Sequence, residues 1–593
     1  MRIDPNTLTV GNLFNINNEQ FNIPAYQRRY AWGEKQLNDF FNDIDLLGAG
    51  DVHLLGTVVF LTDTHTPSIV RLQLIDGQQR ITTLSILLKA LYERLAPGDS
   101  DSAREIKKYL SSKGGSVSGD KLVLGDLDAE DYKLIMSGGK SEEIQNPNLR
   151  RTWEFFTQKV NAIEDPEAFY NKLVNSVEII RLDISHAKDA YKLFETINNR
   201  GLRLSATDIV KNFLLGHASM LGEGTLEQVK KDWTGVIVSL DHIPGSTDRF
   251  LRHFLMGLLH EKIPASQLIE EFKNYYYTNI REATKLTDHS ARLSTMRQRR
   301  QPDLEDEEEE DGSASVARPS YFVEELGILD FSARLKKAAE TYAKILEANF
   351  GHDALDRRLR NLIRVESTPS YTFLLKLFQR DDISEKEVGN ILFSVETFIL
   401  RRQICEYRTA ELDDIFSHLA DMPSVGVEEF VRDSLKAHTP GNEEFREKFA
   451  SFNHRRGDER AKYILARIEE HYHGSTNELS VLGGNDVHLE HIIPQTIKSG
   501  KAKKTFGDWI GYLGEGAEEN HSRYVYRIGN LTLIAGTLNI RASNNPFASK
   551  LEAYEESAFT LNEHIRQQYQ DFRYPQVEER SRALADVALA IWK

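Results

Sequence analysis

Apolar residues recur at three- and four-residue spacing through the middle of the chain. The pattern is clearest in three segments, "RFLRHFLMGLLHEK", "EKEVGNILFSVETFILRRQI" and "ERAKYILARIEEHY". This spacing brings the apolar side chains onto one face of an α-helix, where they can pack against a neighbouring element. The pattern therefore predicts a succession of helices between about residues 225 and 475.

Short, β-branched apolar runs replace this pattern toward both ends of the chain. In the first quarter, "HLLGTVVFLT" (53–62) and "IVRLQLI" (69–75) are separated by the turn-like "DTHTPS" and predict a hairpin. Beyond about residue 475, short apolar runs are broken by Gly and Asn, and the chain ends in a predicted helix near "RSRALADVALAIW". The whole pattern predicts a multidomain α+β protein.

The size of the chain sets its domain organisation. A length of 593 residues with 40% hydrophobic residues allows a substantial core, and a chain of this size divides into several domains. We place a first domain at 1–220, a helical region at 221–475 and a C-terminal domain at 476–593. Within the helical region, the acidic run at 301–320 lacks apolar periodicity and predicts a disordered loop.

Cys405 is the single cysteine in the sequence. One thiol excludes an internal disulfide framework and a cysteine-based zinc cluster, and it suits a reducing compartment. The N-terminal "MRIDPNTLTVGNLFN" has no basic segment followed by an apolar one, and no run of about eighteen apolar residues follows. The sequence therefore predicts a cytoplasmic protein with no membrane partner.

The formal net charge of −16 limits how this chain can bind nucleic acid. Most of such a surface repels phosphate, so a nucleic-acid site must be a local basic patch. The segment "IKSGKAKK" is a candidate patch for DNA binding, although a solvated loop is the alternative for any one of its lysines. Its lysines are Lys498, Lys501, Lys503 and Lys504.

A strand, a glycine turn and a helix follow one another at "RLQLIDGQQRITTLSILLKALYERL". Such a junction directs free backbone N–H groups and the positive end of the helix dipole at one spot, and Gly77 lets an anion approach closely. Arg80 can add a bidentate contact to phosphate. An ordinary helix start capped by Asp76 is the open alternative. The candidate phosphate-binding residues are Asp76, Gly77, Gln78, Gln79 and Arg80.

Two further segments carry polar and aromatic residues in an informative order. "IPAYQRRYAW" (23–32) interleaves three aromatic residues with Gln and Arg, a pattern that can stack a base while contacting phosphates. "FETINNRGLRLSATDIVKN" (194–212) has a polar turn, and its "SATD" (205–208) predicts a capping box that starts a new helix. Ser205 and Asp208 are therefore predicted to be structural.

Together these three segments resemble the N-terminal domain of the GmrSD family of modification-dependent, type IV restriction enzymes. The resemblance implies a ParB/sulfiredoxin-like fold in which the DGQQR string contacts the phosphate of an NTP, either ATP or GTP. It also carries Tyr26, Gln27, Arg28, Asn198 and Lys211 over to the nucleotide site. The other matching residues are Pro24, Tyr30, Trp32, Gly201, Leu204, Asp208 and Asn212.

Near the C-terminus, "HLEHIIPQ" (488–495) places two histidines and a glutamate on a short apolar run. On a flat strand His488 and Glu490 face one side and His491 the other, and a strand end before Pro494 relaxes that restriction. Downstream, "RIGNLTLIAGTLNIRASNNPFASK" predicts a turn, a strand over "LTLI" and a helix. The two segments together form a ββα pattern.

This pattern resembles the HNH, or ββα-metal, nuclease motif and the C-terminal domain of the same GmrSD family. Carried over by position, His491 matches the general base, and Glu490 and Asn539 match metal ligands. Asn530 matches the middle asparagine that braces the loop, and His488 is either a further ligand or an orienting residue. The resemblance implies Mg²⁺ or Mn²⁺, which a carboxylate and an amide oxygen suit.

A zinc site is the competing interpretation of the histidines. His521 lies nearby in the sequence, but no third histidine or cysteine stands at a familiar zinc spacing. We therefore rank a zinc site below the HNH interpretation.

The resemblance implies a single-chain fusion of both halves of a GmrSD-type enzyme that defends against phage. Its expected substrate is double-stranded DNA with modified bases, such as hydroxymethylated or glucosylated cytosine, cut under the control of bound NTP. One HNH centre cuts one strand per encounter, so a homodimer is a further hypothesis. Two alternatives stay open, namely a nucleotide-dependent DNA sensor that does not cut, and a nuclease toxin that acts on unmodified DNA or RNA.

Overall fold

A computed structural model describes most of the chain. The described ranges are 5–65, 69–187, 205–241, 243, 245–283, 326–454, 459–474, 486–497 and 507–593. These residues confirm the predicted α+β class, with helices predominating. The chain divides into an N-terminal unit (Met1–Leu255 and Ile263–Ala343) and a C-terminal unit (Met256–Lys262 and Lys344–Lys593).

A mixed six-stranded sheet organises the N-terminal unit. The strands of this unit are β1 (Pro5–Thr9), β2 (Glu19–Asn22), β3 (His53–His65), β4 (Val70–Asp76), β5 (Ser111–Gly114), β6 (Val117–Asp120), β7 (Leu122–Val123) and β8 (Val177–Ile184). The order in the large sheet is β1-β8-β3-β4-β2-β7, and β5 and β6 form a separate hairpin. β3 and β4 pair antiparallel, which confirms the predicted hairpin, whereas β3 and β8 run parallel.

Helices pack around this sheet and continue beyond it. They are α1 (Val10–Phe14), α2 (Glu34–Asp45), α3 (Gln78–Leu95), α4 (Asp101–Tyr109), α5 (Asp126–Ser137), α6 (Pro147–Ala162), α7 (Pro166–Ser176), α8 (Ala206–Leu221), α9 (Glu223–Leu240), α10 (Ser246–Leu259), α11 (Leu268–Asn279) and α12 (Ile328–Glu347). Ser205 caps α8 by accepting a hydrogen bond from the Asp208 N–H, so the predicted helix start is confirmed.

Helix α3 is buried more completely than its sequence predicts. The apolar spacing predicts one buried face, but polar residues between the apolar ones, such as Thr83, Ser85 and Lys89, are buried as well. The reason is packing, because α4, α5, α6 and α7 all contact α3. The part of α3 from Ile81 to Leu91 therefore lies in the interior of the N-terminal unit, whereas its first three residues are half-buried.

Among its described residues, the C-terminal unit is helical except for one short hairpin and the connecting turns and loops. Its helices are α13 (Asp353–Arg364), α14 (Tyr371–Leu377), α15 (Glu385–Ile404), α16 (Leu412–Leu419), α17 (Val427–Lys436), α18 (Asn442–Ala450), α19 (Arg460–Tyr472), α20 (Trp509–Leu513), α21 (Ala517–Tyr524), α22 (Gly536–Ala542), α23 (Phe547–Glu555), α24 (Thr560–Gln568) and α25 (Tyr574–Ile591). Its strands are β9 (Val487–His491) and β10 (Leu531–Ala535). Helices α10, α15 and α19 cover the three segments with the clearest helical spacing, so those predictions are confirmed.

The hairpin and the helix after it reproduce the predicted ββα order. β9 and β10 pair antiparallel, with Leu531 opposite His491 and Ala535 opposite Val487, and α22 begins at the residue after β10.

Helix α25 holds the turn that leads into β10. A 3-10 turn over Ile528–Asn530 confirms the predicted turn. Arg580 donates to the carbonyls of Gly529 (2.8 Å) and Leu531 (2.6 Å). A Cβ on Gly529 would overlap the Val577 carbonyl oxygen and approach the Ser581 backbone nitrogen to 2.7 Å. Glycine is therefore required for this close approach of two backbones.

Candidate functional site

His491 ends β9 with a buried imidazole. Its ring lies edge-on to Tyr526, with 5.6 Å between ring centroids, and its Nδ1 is 3.2 Å from the side-chain nitrogen of Gln495. Burial, together with the neighbouring groups His454, Lys550 and His521, lowers the pKa of His491 to about 4. The ring is therefore neutral near pH 7 and can accept a proton.

Asn530 braces the backbone that follows His491. Its side chain is fully buried. It accepts a hydrogen bond from the Ile493 N–H (2.8 Å) and donates to the Ile493 carbonyl (2.9 Å) and the Val525 carbonyl (2.9 Å). The amide thus pairs both backbone groups of Ile493, which restrains the loop that leaves β9.

The Glu490 carboxylate forms an ion pair with a buried lysine on α23. Lys550 Nζ donates to the Glu490 carboxylate and also to the His491 carbonyl (2.7 Å). Both side chains are buried. Burial raises the pKa of Glu490 and lowers the pKa of Lys550, so it opposes the charge on each partner, while their mutual attraction supports it.

His488 and Asn539 meet on the exposed side of the hairpin. The Asn539 amide nitrogen lies 3.4 Å from Nδ1 of His488. Asp486 approaches the same place from the start of β9. A Cβ on Gly536 would overlap Oδ1 of Asp486 and lie 3.2 Å from Nε2 of His488. The first residue of α22 therefore leaves space that these two side chains use.

The predicted site residues thus separate into two groups. Asn539 contacts His488, whereas the Glu490 carboxylate contacts Lys550. Among the described residues, no group of three or more His, Cys, Asp or Glu side chains has the arrangement of a metal cage. The Asp486 carboxylate and the Asn539 amide near α22 nevertheless carry oxygen atoms of the type that a hard divalent cation accepts, and His488 adds an imidazole nitrogen beside them.

The remaining C-terminal predictions have different outcomes. His521 Nε2 lies 2.8 Å from the Pro494 carbonyl, so a backbone group occupies one of its two ring nitrogens. The lysines of the predicted DNA patch, Lys498, Lys501, Lys503 and Lys504, lie outside the described residues, as does the acidic loop at 301–320.

In the N-terminal unit, the DGQQR string spans the end of β4 and the start of α3. The helix begins at Gln78, and its N-cap residue is Gly77, with φ of 93° and no side-chain cap. A Cβ on Gly77 would lie 2.6 Å from Cγ1 of Val58. The alternative in which Asp76 caps the helix is therefore wrong. Burial raises the pKa of Asp76, and the charge of Arg80 opposes that rise.

The polar side chains of this string tie it to residues 23–32. Gln78 donates to the Arg28 carbonyl (3.1 Å), and Gln79 accepts from the Ala31 N–H (2.8 Å). Arg80 donates to the Thr57 carbonyl. These contacts hold the turn in place, and they occupy the amide groups that the sequence suggests for phosphate.

Four side chains from two distant segments meet beside this turn. Gln27 donates to the Ile75 carbonyl (3.0 Å) and accepts from Lys211. Asp208 lies 3.4 Å from Lys211 Nζ and 3.5 Å from Arg28 Nε. Burial lowers the pKa of Lys211, whereas the charges of Lys211 and Arg28 outweigh burial and lower the pKa of Asp208. Asp208 therefore pairs with two positive charges in addition to its place in the first turn of α8.

Arg28 offers the most accessible charge in this cluster. Its side chain is 44% exposed, whereas Lys211 is buried. A cavity lined by residues from 23–30, 78–82 and 124–128 has a volume of about 20 Å³, which suits roughly one water molecule. This cavity is therefore too small to enclose a nucleotide. Asn198 lies outside the described residues.

The aromatic residues of "IPAYQRRYAW" are placed for packing. Tyr26 and Tyr30 are buried, and the Tyr30 hydroxyl lies 2.7 Å from the Thr83 hydroxyl. Trp32 lies edge-on to Phe40, with 5.8 Å between centroids. The interpretation that these rings stack a base is wrong for the two tyrosines, because the core covers both.

Comparison with known proteins assigns both ends of the chain. Residues 10–215 match the family described as GmrSD restriction endonuclease, N-terminal domain. Residues 439–587 match the GmrSD restriction endonucleases, C-terminal domain. This chain belongs to the GmrSD family. It is a type IV restriction endonuclease, and DNA is its substrate. No curated protein matches it.

The two GmrSD matches lie in different units. The N-terminal match falls within the unit that carries DGQQR, and the C-terminal match falls within the unit that carries the ββα element. Within the described ranges, no helix combines the length and the apolar character that crossing a membrane requires.

Two residues of the candidate C-terminal site were missed from the sequence. Lys550 stands on the same helical face as Phe547 and Tyr554, and all three are buried. A lysine at an apolar position is a signal that a buried carboxylate pairs with it. The sequence around Asp486 gives no comparable signal. Its position beside Gly536 depends on how β9 and α22 pack against each other.

Proposed function

We propose that this GmrSD protein is an HNH-type endonuclease that hydrolyses phosphodiester bonds with Mg²⁺ or Mn²⁺. Its substrate is double-stranded phage DNA with modified cytosines, and an NTP bound in the N-terminal unit regulates cleavage. It acts in the cytoplasm. The observation that carries the proposal is the Asn530 amide, which pairs both backbone groups of Ile493 and restrains the loop beside a neutral His491.

His491 takes the proton of the attacking water. A neutral imidazole accepts a proton at pH 7, and such general-base catalysis contributes of order 10²- to 10⁴-fold. The low pKa of about 4 makes the ring a weak base in the free protein. A bound DNA phosphate places negative charge nearby, which raises that pKa toward the range in which proton transfer is efficient.

The other residues of the ββα element orient the reacting groups. Asn530 keeps the loop from moving as His491 gains its proton. Of the predicted metal ligands, Asn539 lies on the exposed side beside His488, and Glu490 is paired with Lys550. When bound, a divalent cation stabilises the negative charge that develops on the leaving 3′ oxygen.

The start of α3 supports nucleotide control. The first turn of α3 has no side-chain cap, so its N–H groups and the helix dipole favour an anion there. Arg28 adds an exposed positive charge beside this turn. An NTP phosphate has the charge and the acceptor oxygens to use both features. ATP and GTP are both candidates.

Digestion of modified DNA tests this proposal. We expect cleavage of phage DNA that carries hydroxymethylated or glucosylated cytosine, dependence on Mg²⁺ or Mn²⁺, and a change in rate on adding ATP or GTP. His491→Ala should lower cleavage by at least 10²-fold, whereas His471→Ala, which removes an exposed imidazole from α19, should not. Equal cutting of unmodified DNA or RNA would refute the restriction role, and binding without cutting would support a sensor.

Cleavage of both DNA strands bears on the oligomeric state of the protein. One HNH centre cuts one strand per encounter, so two copies of the chain must act together or bind repeatedly. We propose a homodimer on DNA. Light scattering after size exclusion should show twice the monomer mass with nucleotide and DNA present, and a strict monomer would refute it.

A further inference from the structure

We propose that Asp486 and His488 bind the divalent cation directly, that Asn539 orients the His488 ring, and that Glu490 is the structural anchor of α23. The inference rests on the proposed metal-dependent cleavage. It differs from the motif-based assignment in two residues, because it adds Asp486 and takes Glu490 out of the ligand set.

The packing of Gly536 brings the two ligand side chains together. The Gly536 N–H donates to the Asp486 carbonyl (2.8 Å), which holds the start of α22 against the start of β9. The position of a Cβ on Gly536 overlaps Oδ1 of Asp486 and lies 3.2 Å from Nε2 of His488. One carboxylate oxygen and one imidazole nitrogen therefore face the same small space.

Each nitrogen of the His488 ring has a separate role in this arrangement. Nε2 faces the space shared with Asp486, and Nδ1 faces the Asn539 amide at 3.4 Å. A histidine that binds metal through one nitrogen usually donates its other ring N–H to an oxygen. The Asn539 amide oxygen can accept that proton after a rotation that exchanges the two nearly identical ends of the amide.

Glu490 has a poor geometry for binding a cation. Its carboxylate already bonds Lys550, whose side chain is fully buried, and Lys550 also bonds the His491 carbonyl. A cation at Glu490 would repel this ammonium and leave it without its counter-charge. Breaking a buried ion pair in this way is strongly unfavourable.

Asp486 and His488, in contrast, are exposed. Mg²⁺ and Mn²⁺ keep several waters when bound and take few protein ligands, so an exposed pair leaves space for water and a substrate phosphate. The alternative role for Asp486 is to interact with the positive end of α22. That role would affect folding stability and leave cation binding unchanged.

Titration with Mn²⁺ alone separates these roles. We would measure free Mn²⁺ by electron paramagnetic resonance in the full chain without DNA or nucleotide, and confirm folding by circular dichroism. Asp486→Asn and His488→Ala should each weaken Mn²⁺ binding at least tenfold, and Asn539→Ala by about tenfold. Asp571→Asn, which removes another exposed carboxylate, should bind Mn²⁺ as the unmodified protein does.

The role of Glu490 needs a variant that does not leave a buried charge. Glu490→Gln combined with Lys550→Met removes both charges of the pair, and we expect it to keep Mn²⁺ affinity within about twofold. Electron spin echo modulation from a bound imidazole nitrogen should be present in this double variant. The same modulation should be absent in His488→Ala.

The Mn²⁺ titrations distinguish failure of this ligand assignment from failure of the proposed metal-dependent cleavage. Wild-type affinity in Asp486→Asn and His488→Ala, with loss of binding in the Glu490/Lys550 double variant, would overturn the inference and leave metal-dependent cleavage standing. If the unmodified protein binds no Mn²⁺, both proposals fall. Lower thermal stability of Asp486→Asn with unchanged Mn²⁺ affinity would assign Asp486 to α22 and overturn its role as a ligand.

Discussion

Lys121 places an ammonium group in the interior of the N-terminal unit. Its Nζ donates to the Ile16 carbonyl (2.6 Å) and lies 4.8 Å from the centroid of the Phe21 ring. Burial lowers its pKa to about 8, although the carboxylate of Glu19 opposes the shift. The folded state therefore releases a proton at lower pH than the unfolded chain does.

This buried charge predicts a pH dependence of stability. Between pH 8 and 10.5 the unfolded state binds more protons at Lys121, so the free energy of unfolding rises with pH. Lys121→Met should remove that rise, which amounts to about 2–3 kcal/mol. Urea unfolding of both proteins at pH 8 and pH 10 measures the difference, and parallel pH profiles would contradict it.

Arg28 is the residue whose charge we expect to act on a nucleotide without supporting the fold. Its guanidinium is partly exposed and lies 3.5 Å from Asp208. Arg28→Ala should weaken binding of fluorescent ATP or GTP about tenfold, since a charge-assisted contact contributes about 1.5 kcal/mol. The melting temperature should change little.

A matched arginine provides the control for Arg28. Arg104 is also exposed and ion-paired, with Asp99 at 3.2 Å. Arg104→Ala should leave nucleotide affinity unchanged. Equal nucleotide affinity in both variants would refute the assignment of Arg28 to the nucleotide site.

At the scale of elements, side-chain hydrogen bonds fasten the turn before β10 to the loop after β9. Asn530 makes three buried hydrogen bonds to backbone groups across this junction. Arg580 holds the same turn from α25. The position of His491 therefore depends on an amide 39 residues later in the chain (530 − 491).

Removal of the Asn530 amide should affect both stability and cleavage. Asn530→Ala leaves buried backbone groups without partners, which costs about 1–3 kcal/mol for each such group. We expect a lower urea midpoint and a cleavage rate reduced more strongly than the folded fraction. Asn545→Ala, which removes one exposed bond to the Arg541 carbonyl, should alter neither. Normal cleavage by folded Asn530→Ala would show that the brace is dispensable.

At the scale of the whole molecule, the two units should be separable in function. His491→Ala should lower cleavage at least 10²-fold and keep nucleotide affinity, whereas Arg28→Ala should keep cleavage and need about tenfold more nucleotide for the same change in rate. Coupling between sites is reciprocal for binding, so modified DNA should also change the nucleotide affinity of His491→Ala. Titration of labelled nucleotide with and without DNA measures this, and no change would argue that the units act independently.

The sequence predicted most elements of the protein because their signals are local. The β3–β4 hairpin, the helices α10, α15 and α19, and the capped start of α8 all follow from spacing and turn chemistry within a few residues. The ββα order also follows from local pattern. Helix α3 differs, since its burial on all sides depends on four helices from later in the chain.

The candidate site was less accessible to sequence reasoning. Asp208 and Tyr26 illustrate why. A capping pattern accounts for Asp208, yet its carboxylate also meets Arg28 and Lys211. An aromatic beside arginines suggests base stacking, yet Tyr26 is buried in the core. In both cases the pattern identified an important residue, and packing assigned the role.

The sequence by itself determined the family, the helices and hairpins, and the histidine, asparagine and glutamate residues that deserve study, because these depend on neighbours in the chain. Only the tertiary structure decided which charges are neutralised. Lys550 lies 60 residues from Glu490 and donates a hydrogen bond to its carboxylate, while Asp486 and His488 both lie beside Gly536. Electrostatic partners are set by distance in space and by burial, and a linear pattern specifies neither across such separations.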